Sequence, residues 1–298
     1  HVFLSSHTTK HLYGCSADPL GRWIYVSDHR GGFRLLPLKE NAVPPVPGDA
    51  EERHVVSFDL TANGKRLVMS RGGGGSNRVE CWKIQPAGSF VPVWSLLDGK
   101  SAKPDEPYLL NQANWFANGV AISREGKIVA VAECRSGGAS GYGSLIVLRD
   151  ATNGKVSAEL GQSATSFATR LAIAPDDRVL YAWDEHVLER WDVKSGKCSH
   201  QLLAPGKAHF RGLAVHPTGL VVTVSGDGQA RYWNAADLSP RHGLKWGIGK
   251  LHAVAISPDG TLAATGAWRA RRTGTATARR CPCEGRARRS PRASARSP

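Results

Sequence analysis

The sequence predicts an all-β fold made of repeated four-stranded antiparallel sheets. Short apolar segments alternate with turns rich in Gly, Pro, Asn and Asp along most of the 298 residues, which is typical of strands joined by tight turns. One turn recurs at a nearly regular interval, and a bulky residue recurs after it. A period of about 40 to 45 residues with four strands per unit is typical of the blades of a β-propeller.

Residues 211–234, RGLAVHPTGLVVTVSGDGQARYWN, show the repeated unit most clearly. A short apolar run ends in the turn 216–219, and a β-branched run follows at 220–225. A second turn at 226–228 leads into another alternating segment. Gly and Asp stand where a tight turn needs positive φ or a capping side chain. The segment therefore predicts three short antiparallel strands joined by two tight turns.

The first turn of each unit sets the register of the repeat. Its closing residue recurs after 43, 62, 51, 42 and 41 residues, at Gly21, Gly64, Gly126, Asp177, Gly219 and Gly260. Third strands are predicted to end near a bulky residue in each of the first five units, at Leu36, Trp82, Leu148, Trp191 and Trp233. The two longer intervals predict standard blades with insertions at 71–77, 98–116 and 135–143, where turn signals accumulate.

Residues at these places resemble the WD-repeat β-propeller family, in a degenerate form of bacterial type. Trp191-Asp192 is the W-D dipeptide of that family, and Trp82 and Trp233 stand at the same place in their units. The resemblance covers about residues 7 to 268. It implies an all-β propeller that binds other proteins and has no catalytic activity.

The resemblance also implies a buried tetrad of Trp, Ser or Thr, His and Asp, joined by hydrogen bonds. Asp28, Asp184 and Asp227 stand in the turn before a third strand, where the family places an aspartate. Ser225, Asp227 and Trp233 are expected to supply three of the four members in the fifth unit. The histidine is not recognisable there, so the tetrad is expected to be incomplete.

The repeat places a propeller at 1–268 and a separate tail at 269–298. Blades are predicted near residues 11–48, 53–97, 117–160, 168–203, 208–245 and, as a partial blade, 250–268. The apolar alternation stops after Trp268, so we expect an incomplete propeller. The tail holds ten Arg and one Glu without a hydrophobic period. We expect it to lack packed structure, either as a disordered basic tail or as the product of a shifted reading frame.

The charge of the chain is concentrated in this tail. The formal net charge is +14, of which the tail contributes +9. The rest of the chain is therefore not expected to bind nucleic acid, and binding through the basic tail is an alternative function. No apolar run reaches the roughly 18 residues that a membrane span needs, so no membrane partner is expected.

Cysteine usage favours a reducing compartment. Four cysteines lie far apart within the propeller region, at Cys15, Cys81, Cys134 and Cys198. A disulfide scaffold is shorter and denser in cysteine, so buried free thiols and a cytoplasmic location are expected.

No pattern in the sequence predicts catalysis, a metal site or a cofactor. Gly99-Lys100-Ser101 lacks the first glycine of a phosphate-binding loop, because Trp94 stands in its place. There is no G-x-S-x-G elbow and no ordered set of carboxylates. We therefore predict that the protein is not an enzyme. The alternative is a lactonase- or quinoprotein-like propeller enzyme with a site in its central channel.

The three insertions provide the candidate binding face. In a WD-repeat blade, the turn between the second and third strands lies on the same face as the loop into the next blade. The middle insertion carries Tyr108, Trp115 and Phe116, and exposed aromatic residues on a rim resemble interface anchors. The alternative is that they pack beneath their own loop. We predict a non-catalytic scaffold that presents these loops to a protein partner, or to another domain of a longer parent chain.

Overall fold

A computed structural model shows that the chain forms β-strands and turns. It describes residues 12–28, 33–37, 54–72, 77–86, 88–97, 100–102, 115–135, 144–165, 169–257, 259–268 and 275–280. These residues form 23 strands in six antiparallel sheets, and they include no helix. In this part of the chain there is accordingly no helix long and apolar enough to cross a membrane. The predicted all-β fold of propeller-type antiparallel blades is confirmed.

The chain divides into two compact units. The first comprises residues 1–210 together with 235–239, and the second comprises 211–234 and 240–298. Sheets 1 to 4 lie in the first unit, and sheets 5 and 6 lie in the second.

In the first unit, the strands of each sheet follow one another in chain order. Sheet 1 contains β1 (Leu12–Ala17), β2 (Trp23–Asp28) and β3 (Phe33–Pro37). Sheet 2 contains β4 (His54–Leu60), β5 (Arg66–Gly72), β6 (Arg78–Ile84), β7 (Phe90–Leu97) and β8 (Lys100–Ala102). Sheet 3 contains β9 (Trp115–Ile122), β10 (Ile128–Arg135), β11 (Ser144–Asp150) and β12 (Val156–Ser163). Sheet 4 contains β13 (Arg170–Ile173), β14 (Val179–Trp183), β15 (Val187–Asp192) and β16 (Lys197–Leu203).

The second unit has the same plan. Sheet 5 contains β17 (Phe210–His216), whose first residue belongs to the first unit, with β18 (Leu220–Ser225), β19 (Gln229–Asn234) and β20 (Pro240–Lys245). Sheet 6 contains β21 (Lys250–Ile256), β22 (Leu262–Trp268) and β23 (Thr275–Arg280).

The backbone confirms the register derived from the first turns. All six predicted closing residues have positive φ, including Asp177 at 59°. Five of them are glycine, which adopts this conformation without the steric penalty of a Cβ. Aspartate tolerates it better than most residues. The bulky residues predicted near the ends of third strands lie in β3, β6, β11, β15 and β19.

First turns of neighbouring sheets contact one another within each unit. The amide of Arg124 donates to Asp177 Oδ1 at 2.9 Å, and the amide of Ala62 donates to the Arg124 carbonyl at 3.3 Å. In the second unit, buried His216 places Nε2 2.9 Å from the Gly260 carbonyl. We call the edge of the first unit that carries these turns the turn edge.

Three first strands of the first unit lie side by side. The amides of Val120 and Ile122 in β9 donate to Ser57 Oγ and Asp59 Oδ2 in β4, at 3.3 and 2.9 Å. A step of two residues along β9, from Val120 to Ile122, matches a step of two residues along β4, from Ser57 to Asp59. The two strands therefore run in the same direction. A Cβ on Gly119 would lie 2.5 Å from the Thr169 carbonyl oxygen, so only glycine lets β9 approach the start of β13 this closely.

Apolar side chains fill the space between neighbouring sheets. Representative buried pairs from the four clusters are Tyr25 with Leu67, Val68 with Val131, Ala130 with Leu180 and, in the second unit, Tyr232 with Leu251. Outer strands are solvated instead, and all six residues of β20 are exposed. Side chains are therefore most buried on the middle strands of each blade. This burial fixes the strand register, because a slip of one residue would turn the apolar side chains to the other face.

The structure corrects the predicted extent of the sixth blade. β23 pairs antiparallel with β22 from Thr275 opposite Ala267 to Arg280 opposite Leu262. This pairing contradicts the shifted-frame hypothesis for residues 275–280, whereas the expectation that 269–298 lack packed structure stays a prediction. The Thr-Ala-Thr-Ala alternation favours a strand, and ladder hydrogen bonds join backbone groups whatever the side chains. Residues 281–298 lie outside the described part of the chain.

The cysteines follow the burial of their strands. Cys81 in β6 is a buried free thiol, and burial raises its pKa to about 11. Cys198 is exposed, which corrects the expectation of burial, because it lies on the outer strand β16.

Candidate interaction rim

The edge of the first unit opposite the turn edge is formed by the beginnings of first strands. His54 in β4 pairs with Gly72, Trp115 in β9 with Arg135, and Arg170 in β13 with Trp183. The turn after each second strand therefore lies at the same edge as the connection into the first strand. We call this edge the rim, and its connecting segments are 73–76, 103–114, 136–143, 164–169, 184–186 and 204–209.

Two of the three predicted aromatic anchors lie in a strand rather than in a loop. Trp115 and Phe116 are the first two residues of β9 and pair with Arg135 and Cys134, so they are not loop residues as predicted. Of the Asn and Gly that follow them, Gly119 pairs with Ala132, and Asn118 is the extra residue at which the ladder register shifts. Tyr108 lies outside the described residues. Whether these three side chains bind a partner stays a prediction.

The insertions are also shorter than the sequence predicted. Arg71 and Gly72 continue β5, and Arg135 ends β10. Residues 100–102 form the fifth strand of sheet 2 rather than part of a loop. Segments 73–76 and 136–143 connect ends that lie at the rim. Segment 103–114 begins after Ala102, which pairs with Ser95 on β7, and it ends at the rim with Trp115.

Buried glutamates underlie the rim in sheets 2 and 3. Glu80 Oε2 accepts hydrogen bonds from Arg71 Nε at 3.0 Å and from Trp82 Nε1 at 3.2 Å. Glu133 accepts one from Arg149 Nη2 at 2.6 Å, and both of these side chains are buried. Each carboxylate is thus paired with a guanidinium, as a buried charge requires.

Glu189 in sheet 4 forms a denser network. Its Oε2 accepts from Ser163 Oγ at 2.6 Å and from Trp191 Nε1 at 3.0 Å. Its Oε1 accepts from the Ala164 amide at 2.9 Å and from Gln201 Nε2 at 3.3 Å. This carboxylate fixes the first residues of rim segment 164–169.

A chain of buried hydroxyls extends this network toward sheet 3. Ser163 Oγ lies 2.6 Å from Thr165 Oγ1, which lies 2.6 Å from Thr169 Oγ1. Thr169 donates to Ser144 Oγ at 2.8 Å. The chain ties both ends of segment 164–169 to the beginning of β11, so the described base of the rim is held rigidly between sheets 3 and 4.

The tryptophans therefore use different acceptors from the family tetrad. Trp82 and Trp191 each donate to the glutamate two residues earlier, and Trp233 donates to Thr223 Oγ1 at 2.9 Å. An E-x-W pattern at 80–82 and 189–191 was visible in the sequence, but its meaning required the strand geometry. Residues two apart on a strand point to the same face of the sheet, so the glutamate carboxylate can reach the indole N–H.

Ser225 and Asp227 do not join Trp233, contrary to the predicted tetrad. Both contact Arg231 instead: its Nη1 donates to Ser225 Oγ at 3.2 Å, and its Nη2 donates to Asp227 Oδ2 at 2.5 Å. Burial opposes ionisation of Asp227, but the hydrogen bonds from Arg231 and Gln229 lower its pKa. The arginine thus replaces the absent histidine as the partner of the turn.

The remaining predicted motif residues serve local roles. Asp184 lies in the turn before β15 and accepts from the amides of His186 and Val187 at 2.7 and 2.8 Å, as an Asx turn does. Asp192 accepts from the amide of Ser195, and hydrogen bonds from that residue lower its pKa. Asp28 is the last residue of β2 rather than a turn residue.

A histidine–glutamate cluster lies at the rim, and sequence reasoning missed it. Glu185 and His186 form the turn between β14 and β15, and His209 precedes β17. Glu185 Oε2 lies 3.8 Å from His209 Nδ1, and the two imidazole rings meet edge to face with centroids 4.8 Å apart. The 22 residues between the two histidines gave no local signal. The blade topology places the turn between β14 and β15 next to the connection into β17, and this placement could have indicated the cluster.

Comparison with known proteins gives one relevant similarity. No protein-family model matches the chain. It is 27% identical over 119 residues to Transducin beta-like protein 3 from Bos taurus, a match that covers 39% of this chain and 15% of that protein. The chain thus spans a small part of this relative's length. Together with the repeated antiparallel sheets, the match supports a WD-repeat-like propeller and, in general terms, a protein-interaction scaffold.

Proposed function

We propose that this protein is a non-catalytic scaffold that binds a protein partner through the rim of its first unit. One observation carries the proposal: each long connection of sheets 2 to 4 has at least one end at the rim. Segment 103–114 joins Ala102 to Trp115, and segment 136–143 joins Arg135 to Ser144. The turn edge carries short turns closed by backbone hydrogen bonds, as from Gly64 to Thr61 and from Gly126 to Ser123. Long loops concentrated at one edge of a rigid scaffold are typical of binding faces.

Networks below the rim support rigid presentation of these loops. The carboxylates of Glu80 and Glu133 are engaged by arginines of their own sheets, and that of Glu189 accepts from Ser163 of the neighbouring sheet. A carboxylate so occupied is poorly suited to act as a general base, because its acceptor sites are already used. The arrangement therefore favours binding over catalysis at this edge.

The distribution of apolar surface supports anchors within the loops. Among the described residues, every exposed large apolar side chain is aliphatic, and they are scattered singly over both units. Interface hot spots are enriched in Trp, Tyr and Arg. We therefore place the anchors at Tyr108, Trp115 and Phe116, which lie in or next to the longest rim segment. The partner is a separate protein or another domain of a longer parent chain.

Site-specific photo-crosslinking in the full chain tests the proposal. A photoreactive amino acid is placed at exposed rim positions Ala164 and Lys207 and, as controls, at exposed turn-edge positions Ala62 and Arg124. We expect one protein species to be cross-linked from the rim positions and little or none from the turn edge. Equal yields at both edges, or cross-links confined to the turn edge, would overturn the proposed face.

A further inference from the structure

The cluster of Glu185, His186 and His209 presents three potential metal ligands at one point of the rim. One nitrogen from each imidazole and one carboxylate oxygen all lie within 4.8 Å of one another. About half of each polar surface faces solvent: the His209 and Glu185 side chains are 43% and 48% exposed. Ions can therefore reach the cluster from water without any opening of the fold.

Backbone hydrogen bonds hold the two contributing segments together. The amide of Phe210 donates to the Glu185 carbonyl at 2.9 Å, and the amide of Ala204 donates to the His186 carbonyl at 2.7 Å. Asp184 Oδ1 accepts from the His186 amide at 2.7 Å and fixes the turn from below. The Cα positions of the three residues are thus set before any ligand arrives, which reduces the entropy lost on binding.

The donor set determines the class of ion. Two imidazoles and one carboxylate suit divalent transition metals such as Zn²⁺, Cu²⁺ and Ni²⁺, whereas Ca²⁺ and Mg²⁺ prefer oxygen ligands alone. Zinc–ligand distances of about 2.0–2.2 Å require donor atoms roughly 3.3 Å apart. Exposed side chains reach that spacing from 4.8 Å by small rotations about χ1 and χ2.

We infer that Glu185, His186 and His209 form a binding site for a divalent transition-metal ion of the Zn²⁺ class. Three protein ligands leave at least one coordination position for water. The inference does not rest on the proposed function, because it uses only the geometry of these two segments.

Competition titration of the untagged full chain against a chromophoric Zn²⁺ chelator tests the site. Variants His186→Ala, His209→Ala and Glu185→Gln each remove one ligand from an exposed or half-exposed position. His200→Ala serves as the matched control, because His200 is an exposed histidine of the same unit, on β16. Comparing variants with wild type isolates this site from the other histidines and cysteines of the chain. Circular dichroism of each variant, with and without Zn²⁺, establishes that it is folded.

We expect wild type and His200→Ala to bind one Zn²⁺ with the same affinity. Each ligand variant should bind Zn²⁺ at least about tenfold more weakly, since even replacing a residue that only hydrogen-bonds a metal ligand lowers metal affinity by that factor. Zn²⁺ should raise the melting temperature of wild type and of the control but not of the ligand variants. Co²⁺ should give a d–d absorption spectrum that the ligand variants lose. Equal Zn²⁺ affinity in wild type and folded ligand variants, or no binding by wild type, would overturn the inference.

Discussion

Replacing Glu189 tests the buried network that supports the rim. Its carboxylate accepts four hydrogen bonds, two at each oxygen, and its residue is only 3% exposed. In Glu189→Gln, an amide oxygen in the Oε2 position keeps Ser163 and Trp191 as donors. The amide NH₂ then faces the Ala164 amide, while Gln201 can rotate to present its oxygen. Losing the charge and about one good acceptor predicts a destabilisation of about 2 kcal/mol.

Glu189→Ala should cost more, because no acceptor remains. Buried Trp191 Nε1 would have no partner in the network, and the truncation leaves a cavity beside it. We expect a loss of about 4 kcal/mol in the free energy of unfolding. Glu159→Gln is the control, since Glu159 is exposed on β12 of the same unit, and it should change stability by less than about 0.5 kcal/mol.

Urea unfolding followed by circular dichroism and tryptophan fluorescence measures both effects. Hydrogen exchange adds a local readout, because the Ala164 amide should exchange faster in Glu189→Gln than in wild type. If Glu189→Ala stays within about 1 kcal/mol of Glu159→Gln, the network does not stabilise the blade, and the reasoning fails.

Further predictions concern pH, backbone conformation and the tryptophan acceptors. Burial raises the pKa of Asp59 from 3.8 to about 6, against the hydrogen bonds from Ile122 and Leu60. The folded state therefore holds a proton that the unfolded state releases between about pH 4 and pH 6, and stability falls as pH rises through this window. The resulting loss of unfolding free energy is at most about 3 kcal/mol, and the partial exposure of Asp59 makes it smaller. Asp59→Asn should abolish this pH dependence in urea titrations at pH 4 and pH 7. Asp177→Gly should keep its free energy of unfolding within about 0.5 kcal/mol of wild type, because glycine adopts positive φ freely but cannot accept the hydrogen bond from Arg124. Asp177→Ala should lose about 1–2 kcal/mol, because alanine is strained at positive φ. Equal stability of the two variants would contradict the strain argument. Thr223→Val removes the acceptor of Trp233 Nε1 and should cost about 1–3 kcal/mol in the same assay, while Ser157→Ala, at an exposed position of β12, serves as the comparison.

The sequence predicted the strand pattern because turn chemistry is local. A tight turn demands positive φ at one residue, so Gly21, Gly64, Gly126, Gly219 and Gly260 mark the register directly. Asp177 marks it as well, because aspartate tolerates that conformation. The alternation of apolar and polar residues then predicted the strands between these turns.

The polar network could not be predicted in the same way. Which atom accepts the Trp191 or Trp233 N–H depends on strand twist and on which side chains share the pocket, and neither is a local property. The family resemblance pointed to Ser225 and Asp227 as partners of Trp233, but Arg231 on β19 donates to both of them instead. The cluster of Glu185, His186 and His209 likewise joins two connections that are separated by a complete β-hairpin.

Two predictions placed strand boundaries wrongly. The long interval between the turns at Gly64 and Gly126 predicted an insertion at 98–116, yet Trp115 and Phe116 lie in β9 and pair with β10. The shifted-frame hypothesis predicted that sheet 6 ends at Trp268, yet 275–280 pairs with β22. In both cases the strand boundary is set by backbone pairing with a neighbouring strand, which the local sequence does not reveal.

Partner affinity of the rim variants tests the central claim most directly. The protein captured from the rim by cross-linking is purified, and its dissociation constant is measured with wild type, Tyr108→Ala, Trp115→Ala and Phe116→Ala. Leu20→Ala is the control, because Leu20 is 60% exposed in the first turn of sheet 1. We predict that at least one rim variant binds about 30-fold more weakly, or about 2 kcal/mol, while melting like wild type, and that Leu20→Ala is unchanged. Binding within about threefold of wild type by all three rim variants, or weakening only in variants that unfold, would contradict the account.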